Sequence, residues 1–192
     1  MKDALLIDHN QATMTTTLDS ISHSAAQTQR LGARLGELLQ GGELILLNGQ
    51  LGTGKTTFTQ GLAQGLGIAE QINSPTFTLL KEYKRRSSAG LKPGGLPKHG
   101  PVPPALYHFD LYRLDDPDEI FDLGFEDYFE GNDICVVEWA EKADLYWPSN
   151  HLSIRLKILS ETKRGLFFTA IGPRYCELLR QFQKNTYATA GS

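Results

Sequence analysis

Short apolar runs alternate with segments of helical periodicity along this chain. Three runs are apolar at most positions: 43–48, 105–110 and 134–139. Runs of this kind are typical of parallel strands that are buried on both faces of a sheet. Because helix-like segments lie between them, the pattern predicts an α/β protein with a mostly parallel sheet and helices on both faces.

The N-terminal part of the chain carries a clear helix signal. The β-rich segment 13–19 predicts an early strand, and Ser24 followed by Gln27 predicts a helix start with a capping box. Leucines then recur at helical spacing and form one apolar face: Leu31, Leu35, Leu38 and Leu39. The glycine pair at 41–42 predicts the end of this helix.

The later elements follow from the same rules. Helices are predicted over 57–67, 117–122, 126–129 and from Pro173 to about 183. Strands are predicted over 77–83, 152–159 and 166–171. Since the last two strands are consecutive, they should pair with each other and make the sheet mixed. The small polar residues at 185–192 predict a frayed tail.

Residues 84–104 differ in composition from the rest of the chain. They contain five prolines, four glycines, five Lys/Arg residues and no acid. Such a stretch buries too little apolar surface to order itself, so we expect a mobile loop. Strand-like sequence resumes after it, which predicts an insertion within one domain that spans residues 1–192.

Composition and charge argue against several classes of protein. The 192 residues carry a net charge of −3, which lacks the basic excess of a free-standing nucleic-acid binder. No apolar run approaches the roughly 18 residues of a membrane span, and residues 1–10 lack a secretory pattern. Cys135 and Cys176 are too far apart to form a metal knuckle. We therefore expect a cytoplasmic protein with reduced thiols and no membrane partner.

The strongest chemical signal is G-Q-L-G-T-G-K-T at residues 49–56, which matches the phosphate-loop pattern G-x-x-x-x-G-K-[ST]. Glycines let the backbone wrap around phosphate with its N–H groups pointing inward, and the helix that follows adds its positive end. Lys55 is expected on the β- and γ-phosphates and Thr56 on Mg²⁺. The predicted nucleotide-binding residues are Gly49, Gln50, Leu51, Gly52, Thr53, Gly54, Lys55, Thr56 and Thr57.

Hydrolysis also requires an acid near the metal and a group that positions water. Two apolar runs end in acids, Asp110 and Glu138. Because the carboxyl ends of parallel strands face the crevice where ligands bind, both are candidate site residues. The alternative is that either acid caps its strand end or pairs with Arg113.

Two further features lie beside these candidates. Ser74, Thr76 and Thr78 place hydroxyls in a segment that, in P-loop proteins, can reach the γ-phosphate and change state with it. A capped turn that leads into a strand explains them equally well. Trp139 follows Glu138, a position where packing is the commoner role. The guanine-reading pattern N-K-x-D is absent, which favours ATP over GTP.

Several motifs now occur in one order along the chain: GQLGTGKTT at 49–57, NSPTFTL at 73–79, YHFDLYRL at 107–114, GFEDYF at 124–129 and VVEWAEK at 136–142. Together they strongly resemble the TsaE family, over about residues 24–145 without the insertion. This resemblance implies a bacterial ATPase with a P-loop fold that is needed to make threonylcarbamoyladenosine in tRNA. It also implies TsaD and TsaB as protein partners, with tRNA engaged indirectly through them.

The resemblance implies roles for individual residues. Lys55 and Thr56 match the phosphate and metal residues, Glu138 the second acid beside the metal, and Asp110 the acid that helps hydrolysis. The switch-like or activity-linked positions are Ser74, Thr76 and Trp139. The segment 84–104 departs from the compact family pattern.

Two other functions are compatible with the same loop. A small-molecule kinase would close an arginine-bearing lid over the transferred phosphate, and Arg85 and Arg86 could serve as that lid. A binding protein gated by nucleotide would keep the loop without efficient turnover. Release of phosphate without an added acceptor separates these functions from an ATPase.

Overall fold

The computed structural model describes residues 14–75, 79–84, 104–122 and 124–187. Its strands are β1 (Thr15–Ser22), β2 (Leu44–Asn48), β3 (Leu80–Tyr83), β4 (Leu106–Asp110), β5 (Ile134–Glu138), β6 (His151–Ile158) and β7 (Arg164–Ile171). Its α-helices are α1 (Ala25–Gly36), α2 (Lys55–Gly65), α3 (Glu119–Asp122), α4 (Glu126–Phe129) and α5 (Pro173–Tyr187). A 3₁₀ helix, Ala140–Ala143, follows β5 almost directly.

The seven strands join one sheet in the order β1-β7-β6-β2-β5-β4-β3. The four central strands β6, β2, β5 and β4 run parallel. Strands β7 and β3 run antiparallel to their neighbours, and β1 pairs antiparallel with β7. The predicted mixed, mostly parallel sheet is confirmed, and the carboxyl ends of β2, β5 and β4 lie side by side.

Both faces of the central sheet are buried, as the dense apolar runs predict. In β2, Ile45 and Leu47 face a core formed with α1, α2 and α5, whereas Leu44 and Leu46 face the opposite core. That second core includes residues of α3, the segment before α4, and the 3₁₀ helix, among them Ile120, Phe125 and Ala140. The predicted three-layer architecture is therefore confirmed.

Helices α1 and α2 pack against each other through glycines. A Cβ atom on Gly61 would lie 1.9 Å from the Gln29 carbonyl oxygen, and one on Gly32 would lie 2.2 Å from the Phe58 carbonyl oxygen. Glycine in a helix interior costs roughly 0.5–1 kcal/mol relative to alanine, and the close backbone approach offsets that cost. This contact fixes the position of α2, whose first turn completes the phosphate loop.

Helix α1 begins where the sequence predicts but ends earlier. The Ser24 side chain accepts a hydrogen bond from the Gln27 N–H, while the Gln27 side chain accepts one from the His23 N–H. The helix ends at Gly36 rather than at the predicted glycine pair 41–42. The N–H groups of Leu38 and Leu39 bond carbonyls three residues back, so the last turn tightens and the α-helix stops.

Helix α5 is longer than the sequence predicts, since it reaches Tyr187 instead of ending near residue 183. Its last turn is held by contacts with distant parts of the chain. The Arg34 side chain donates to the Thr186 carbonyl, and the Tyr187 hydroxyl bonds the Ser20 hydroxyl at 2.9 Å. Of the predicted tail, residues 185–187 thus belong to this helix and 188–192 lie outside the described residues.

Two other predictions concern segments that the structure describes only in part. The predicted strand 77–83 is observed as β3 from Leu80, and residues 76–78 lie outside the described residues. So does most of the 84–104 insertion, of which only Lys84 and Pro104 are described. In the part of the chain that the structure describes, no helix is long and apolar enough to cross a membrane.

Candidate active site

The phosphate loop connects the end of β2 to the start of α2, at the carboxyl edge of the sheet. Gly49 has φ 138°, and a Cβ atom there would lie 2.4 Å from the Leu156 carbonyl oxygen. Gly52 has φ 79°, and a Cβ atom there would meet no other atom within 4 Å, so its surroundings are open. Gly49 is therefore required by crowding and backbone angle, and Gly52 by backbone angle alone.

Lys55 opens α2 and lies largely buried, with 5% of its surface exposed. Its ammonium group donates to the carbonyl oxygens of Gly49 and Gln50 and lies 3.5 Å from the centre of the Trp139 ring. Burial lowers the pKa of Lys55 below its ordinary value, against the opposing attraction of nearby carboxylates, of which that of Glu138 is the largest. The cation is thus held among carbonyls, an aromatic face and acids.

Glu138 ends β5 and is buried, with 2% of its surface exposed. Its Oε2 accepts a hydrogen bond from the Thr56 hydroxyl at 2.9 Å. Its Oε1 lies 3.3 Å from the Thr59 hydroxyl and 2.9 Å from Nε2 of His108. The carboxylate is therefore joined to both the first turn of α2 and the neighbouring strand β4.

Asp110 ends β4 and lies opposite Glu138 in the parallel pairing of β4 with β5. One carboxylate oxygen accepts a hydrogen bond from the Ser74 hydroxyl, and the other accepts one from the Tyr112 N–H at 3.0 Å. Asp110 therefore does not act as a simple strand-end cap. It connects the segment that contains Ser74 to the turn after β4.

The turn after Glu138 holds the two sides of the site together. Trp139 has φ 61°, a left-handed conformation that is uncommon for a bulky residue, and its ring packs 4.9 Å from that of Tyr112. Glu141 accepts a hydrogen bond from the Gly49 N–H. Lys142 donates to the carbonyl oxygens of Tyr112 and Leu114. One short segment thus contacts both the phosphate loop and the turn after β4.

These elements enclose a pocket of about 650 Å³. Its lining residues are Leu51, Gly52, Gly54, Lys55, Thr56, Thr57, Ser74, Pro75, Leu79, Asp110, Tyr112, Arg113, Glu138 and Trp139. The fold therefore brings most of the sequence-predicted site residues to one pocket, including both acids. Thr76 lies outside the described residues.

Three residues of the phosphate loop line a second cavity and not this pocket. Gly49, Gln50 and Thr53 line an adjacent cavity of about 490 Å³. The Thr53 hydroxyl donates to the Gln50 carbonyl, whose oxygen also accepts from Lys55. These residues shape the loop and hold Lys55 from behind.

Sequence reasoning missed several residues of the site. Thr59 and His108 contact Glu138, while Glu141 and Lys142 hold the loops. Some of these positions had a signal: His108 lies two residues before Asp110, on the same face of the strand, and Thr59 lies one helical turn after Lys55. Glu141 and Lys142 lie in the VVEWAEK motif at 136–142, but nothing in the motif indicated that their side chains hold the phosphate loop and the turn after β4.

Comparison with known proteins identifies the relatives of this chain. The family described as Threonylcarbamoyl adenosine biosynthesis protein TsaE matches residues 22–166. The tRNA threonylcarbamoyladenosine biosynthesis protein TsaE of Bacillus subtilis is 42% identical over 144 residues, which cover 75% of this chain and 80% of the relative. The protein of the same name from Treponema pallidum is 40% identical, over 76% of this chain and 96% of the relative.

A solved structure shares the fold of this chain. The crystal structure of YdiB from Bacillus subtilis is similar with a TM-score of 0.70 and 30% identity, covering 90% of this chain and 98% of that chain. The resemblance inferred from the motifs is therefore confirmed, together with the P-loop NTPase-like α/β fold. This chain belongs to the TsaE family of tRNA threonylcarbamoyladenosine biosynthesis proteins.

Proposed function

We propose that this chain is a Mg²⁺-dependent ATP hydrolase that acts with the TsaD and TsaB proteins in tRNA threonylcarbamoyladenosine biosynthesis, in the cytoplasm. The observation that carries the proposal is the convergence of Lys55, Thr56, Asp110 and Glu138 on one pocket beside a phosphate loop. A cation, a hydroxyl and two separated acids are the groups that hydrolysis of a nucleoside triphosphate requires.

The phosphate end of a nucleotide fits the loop. The first turn of α2 faces the pocket with Lys55, Thr56 and Thr57, so unpaired N–H groups and the positive end of the helix are available to an anion. Lys55 borders the pocket, so its ammonium group can exchange the carbonyl oxygens of Gly49 and Gln50 for phosphate oxygens of a bound nucleotide. In this proposal it neutralises charge that accumulates as the terminal phosphate leaves.

The residues present also fit Mg²⁺. Thr56 and Glu138 offer a hydroxyl and a carboxylate oxygen 2.9 Å apart, and hard oxygen ligands of this kind suit the ion. Among the described residues, no group of three or more His, Cys, Asp and Glu side chains could hold a metal alone. This favours an ion that relies on phosphate oxygens and water for its other ligands, and such an ion would offset phosphate charge.

Asp110 is the residue we assign to the attacking water. The residue has 8% of its surface exposed and borders the pocket, and its carboxylate is oriented by Ser74 and by the Tyr112 N–H. A carboxylate held in this way can orient a water molecule and accept its proton. Because Ser74 lies in a segment without helix or strand, rearrangement of that segment would change the setting of Asp110, which supports a switch role for Ser74. We propose the same role for Thr76 from its place in the NSPTFTL motif.

We propose that the segment containing Ser74 and the side chain of Trp139 couple the pocket to docking of the partner proteins. Trp139 contacts Lys55 and Tyr112, so docking that moves either side of the pocket would alter its surroundings. The net charge of −3 favours partners that supply the main tRNA-binding surface. By linkage, ATP should strengthen docking by the factor by which docking strengthens ATP binding.

Two assays test the proposal. Phosphate release should occur with ATP and Mg²⁺ without any acceptor, and reconstituted threonylcarbamoylation should continue through multiple turnovers only when this chain is present. Formation of ADP that requires a small-molecule acceptor, with the phosphoryl group transferred to that acceptor, would instead indicate the kinase. Tight ATP binding with no release, even with TsaB and TsaD, would indicate a nucleotide-gated binding protein.

A further inference from the structure

The side chain of His108 lies beneath the pocket rather than in its lining. His108 is in the middle of β4 and has no exposed surface. Its Nε2 lies 2.9 Å from Oε1 of Glu138, while its Nδ1 is buried and has no hydrogen-bond partner among the residues that the structure describes. A fully buried imidazole therefore makes one hydrogen bond, and that bond is to a candidate metal ligand.

The surroundings of the ring decide where its proton lies. A carboxylate accepts hydrogen bonds, so the contact with Glu138 requires a proton on Nε2. The contact therefore makes Nε2 of His108 the donor and Oε1 of Glu138 the acceptor.

The other donor near Oε1 of Glu138 is the Thr59 hydroxyl, which has two possible acceptors. The Thr59 hydroxyl lies 3.1 Å from the Lys55 carbonyl oxygen and 3.3 Å from Oε1 of Glu138, and it has one hydrogen to donate. The His108 contact is shorter, and Nε2 has no other hydrogen-bond partner among the described residues. His108 is therefore the principal donor that holds this side of the carboxylate.

We propose that His108 is a positioning residue that orients Glu138, so that Oε2 faces the Thr56 hydroxyl and the metal. This inference rests on the proposed Mg²⁺-dependent function. The His108 ring fixes Oε1, and the rigid strand pairing of β4 with β5 holds the ring in place. Residues behind a metal ligand commonly act in this manner, and their loss typically weakens metal binding by about 10- to 100-fold.

A packing role makes a different prediction. The His108 ring lies 6.5 Å from that of Tyr83 and fills space in the core, so a pure packing residue could be replaced by any side chain of similar volume. Leucine fills that space without a donor. Glutamine is polar and carries an N–H group at about the reach of Nε2. The His108→Leu and His108→Gln variants therefore separate the two roles.

The main measurement is the Mg²⁺ concentration that half-saturates binding of an ATP analogue, with the melting temperature recorded for each variant. We expect His108→Leu to raise this concentration by about tenfold or more, and His108→Gln to lie much nearer to wild type. Equal values for His108→Leu and wild type would overturn the positioning role, as would equal losses in both variants. If wild type itself shows no Mg²⁺ dependence, the proposed function fails, and the positioning role toward a metal fails with it.

A second measurement needs neither variant nor nucleotide. Long-range ¹H–¹⁵N correlation spectra of the wild-type protein report which nitrogen of His108 carries the proton. We expect a proton on Nε2. A proton on Nδ1 with a bare Nε2 would remove the hydrogen bond to Glu138 and overturn the proposal, even if the variants fail to fold.

Discussion

The two acids of the pocket end neighbouring strands in register, yet the fold supports them differently. Glu138 is held by side chains from α2 and β4, which are regular elements packed on the core. Asp110 is held by Ser74 and by the backbone of Tyr112, both in connecting segments. An acid fixed by regular structure suits a constant ligand, whereas an acid tied to a connection can follow a rearrangement.

The same contrast appears in the contacts around the two acids. The network at Glu138 joins three elements through hydroxyl and imidazole groups, and each of its donors comes from a helix or a strand. At Asp110, the Ser74 hydroxyl comes from residues 71–75, which form neither helix nor strand. Regular structure therefore supports the proposed metal side, and irregular structure supports the proposed water side.

The largest expected effect comes from removing Lys55, whose positive charge attracts both acids. We expect Lys55→Ala to lower kcat for ATP hydrolysis by about 100- to 1,000-fold and to weaken ATP binding, because the cation opposes charge that develops on the phosphates. Lys184→Ala, which removes an exposed cation on α5 outside the pocket, is the matched control. Near-normal phosphate release by Lys55→Ala would contradict the assignment of the site.

The next effect tests the contrast between the acids directly. Glu138→Gln should raise the Mg²⁺ concentration needed for tight ATP binding by about 10- to 100-fold, since a ligand is weakened. Asp110→Asn should leave that concentration unchanged and lower kcat by about 100-fold, since the carboxylate that orients the water and accepts its proton is lost. Magnesium titrations of binding and turnover on both variants check this. Identical behaviour of the two variants would remove the division of roles.

A smaller effect is expected from the support of Asp110 alone. Ser74→Ala removes one hydrogen bond to the carboxylate, and we expect kcat to fall by about tenfold, the equivalent of about 1.4 kcal/mol in the barrier. ATP affinity and melting temperature should stay near wild type, because Ser74 is only partly buried in a connection. Ser74→Thr, which keeps a hydroxyl, is the control. A large loss of ATP affinity in Ser74→Ala would place Ser74 in nucleotide binding instead.

The smallest effect is expected from the insertion that precedes β4 and therefore Asp110. Deleting residues 86–102 should shift the melting temperature by less than about 3 °C, which corresponds to about 1 kcal/mol for a chain of this size. The segment is rich in proline and glycine and poor in apolar residues, so its removal should cost little. Calorimetry and an ATP-binding measurement check this, and a larger shift would show that the insertion packs on the core.

The features that depend on residues close together in the chain could be predicted from the amino-acid sequence. The phosphate loop follows from its own glycines, and Lys55 contacts carbonyls only five and six positions away. The start of α1 follows from Ser24 and Gln27, which lie three residues apart. Apolar density revealed the buried strands, because a strand covered on both faces has few polar positions.

The features that depend on residues far apart in the chain became visible in the folded structure alone. Glu138 meets the Thr56 and Thr59 hydroxyls, which are 82 and 79 positions away, because β5 lies beside β2 in the sheet. The end of α5 similarly depends on Arg34, which is 152 positions from Thr186. Strand order and side-chain burial are properties of the packed chain as a whole, so no local pattern could indicate that His108 and Glu138 would meet inside the core.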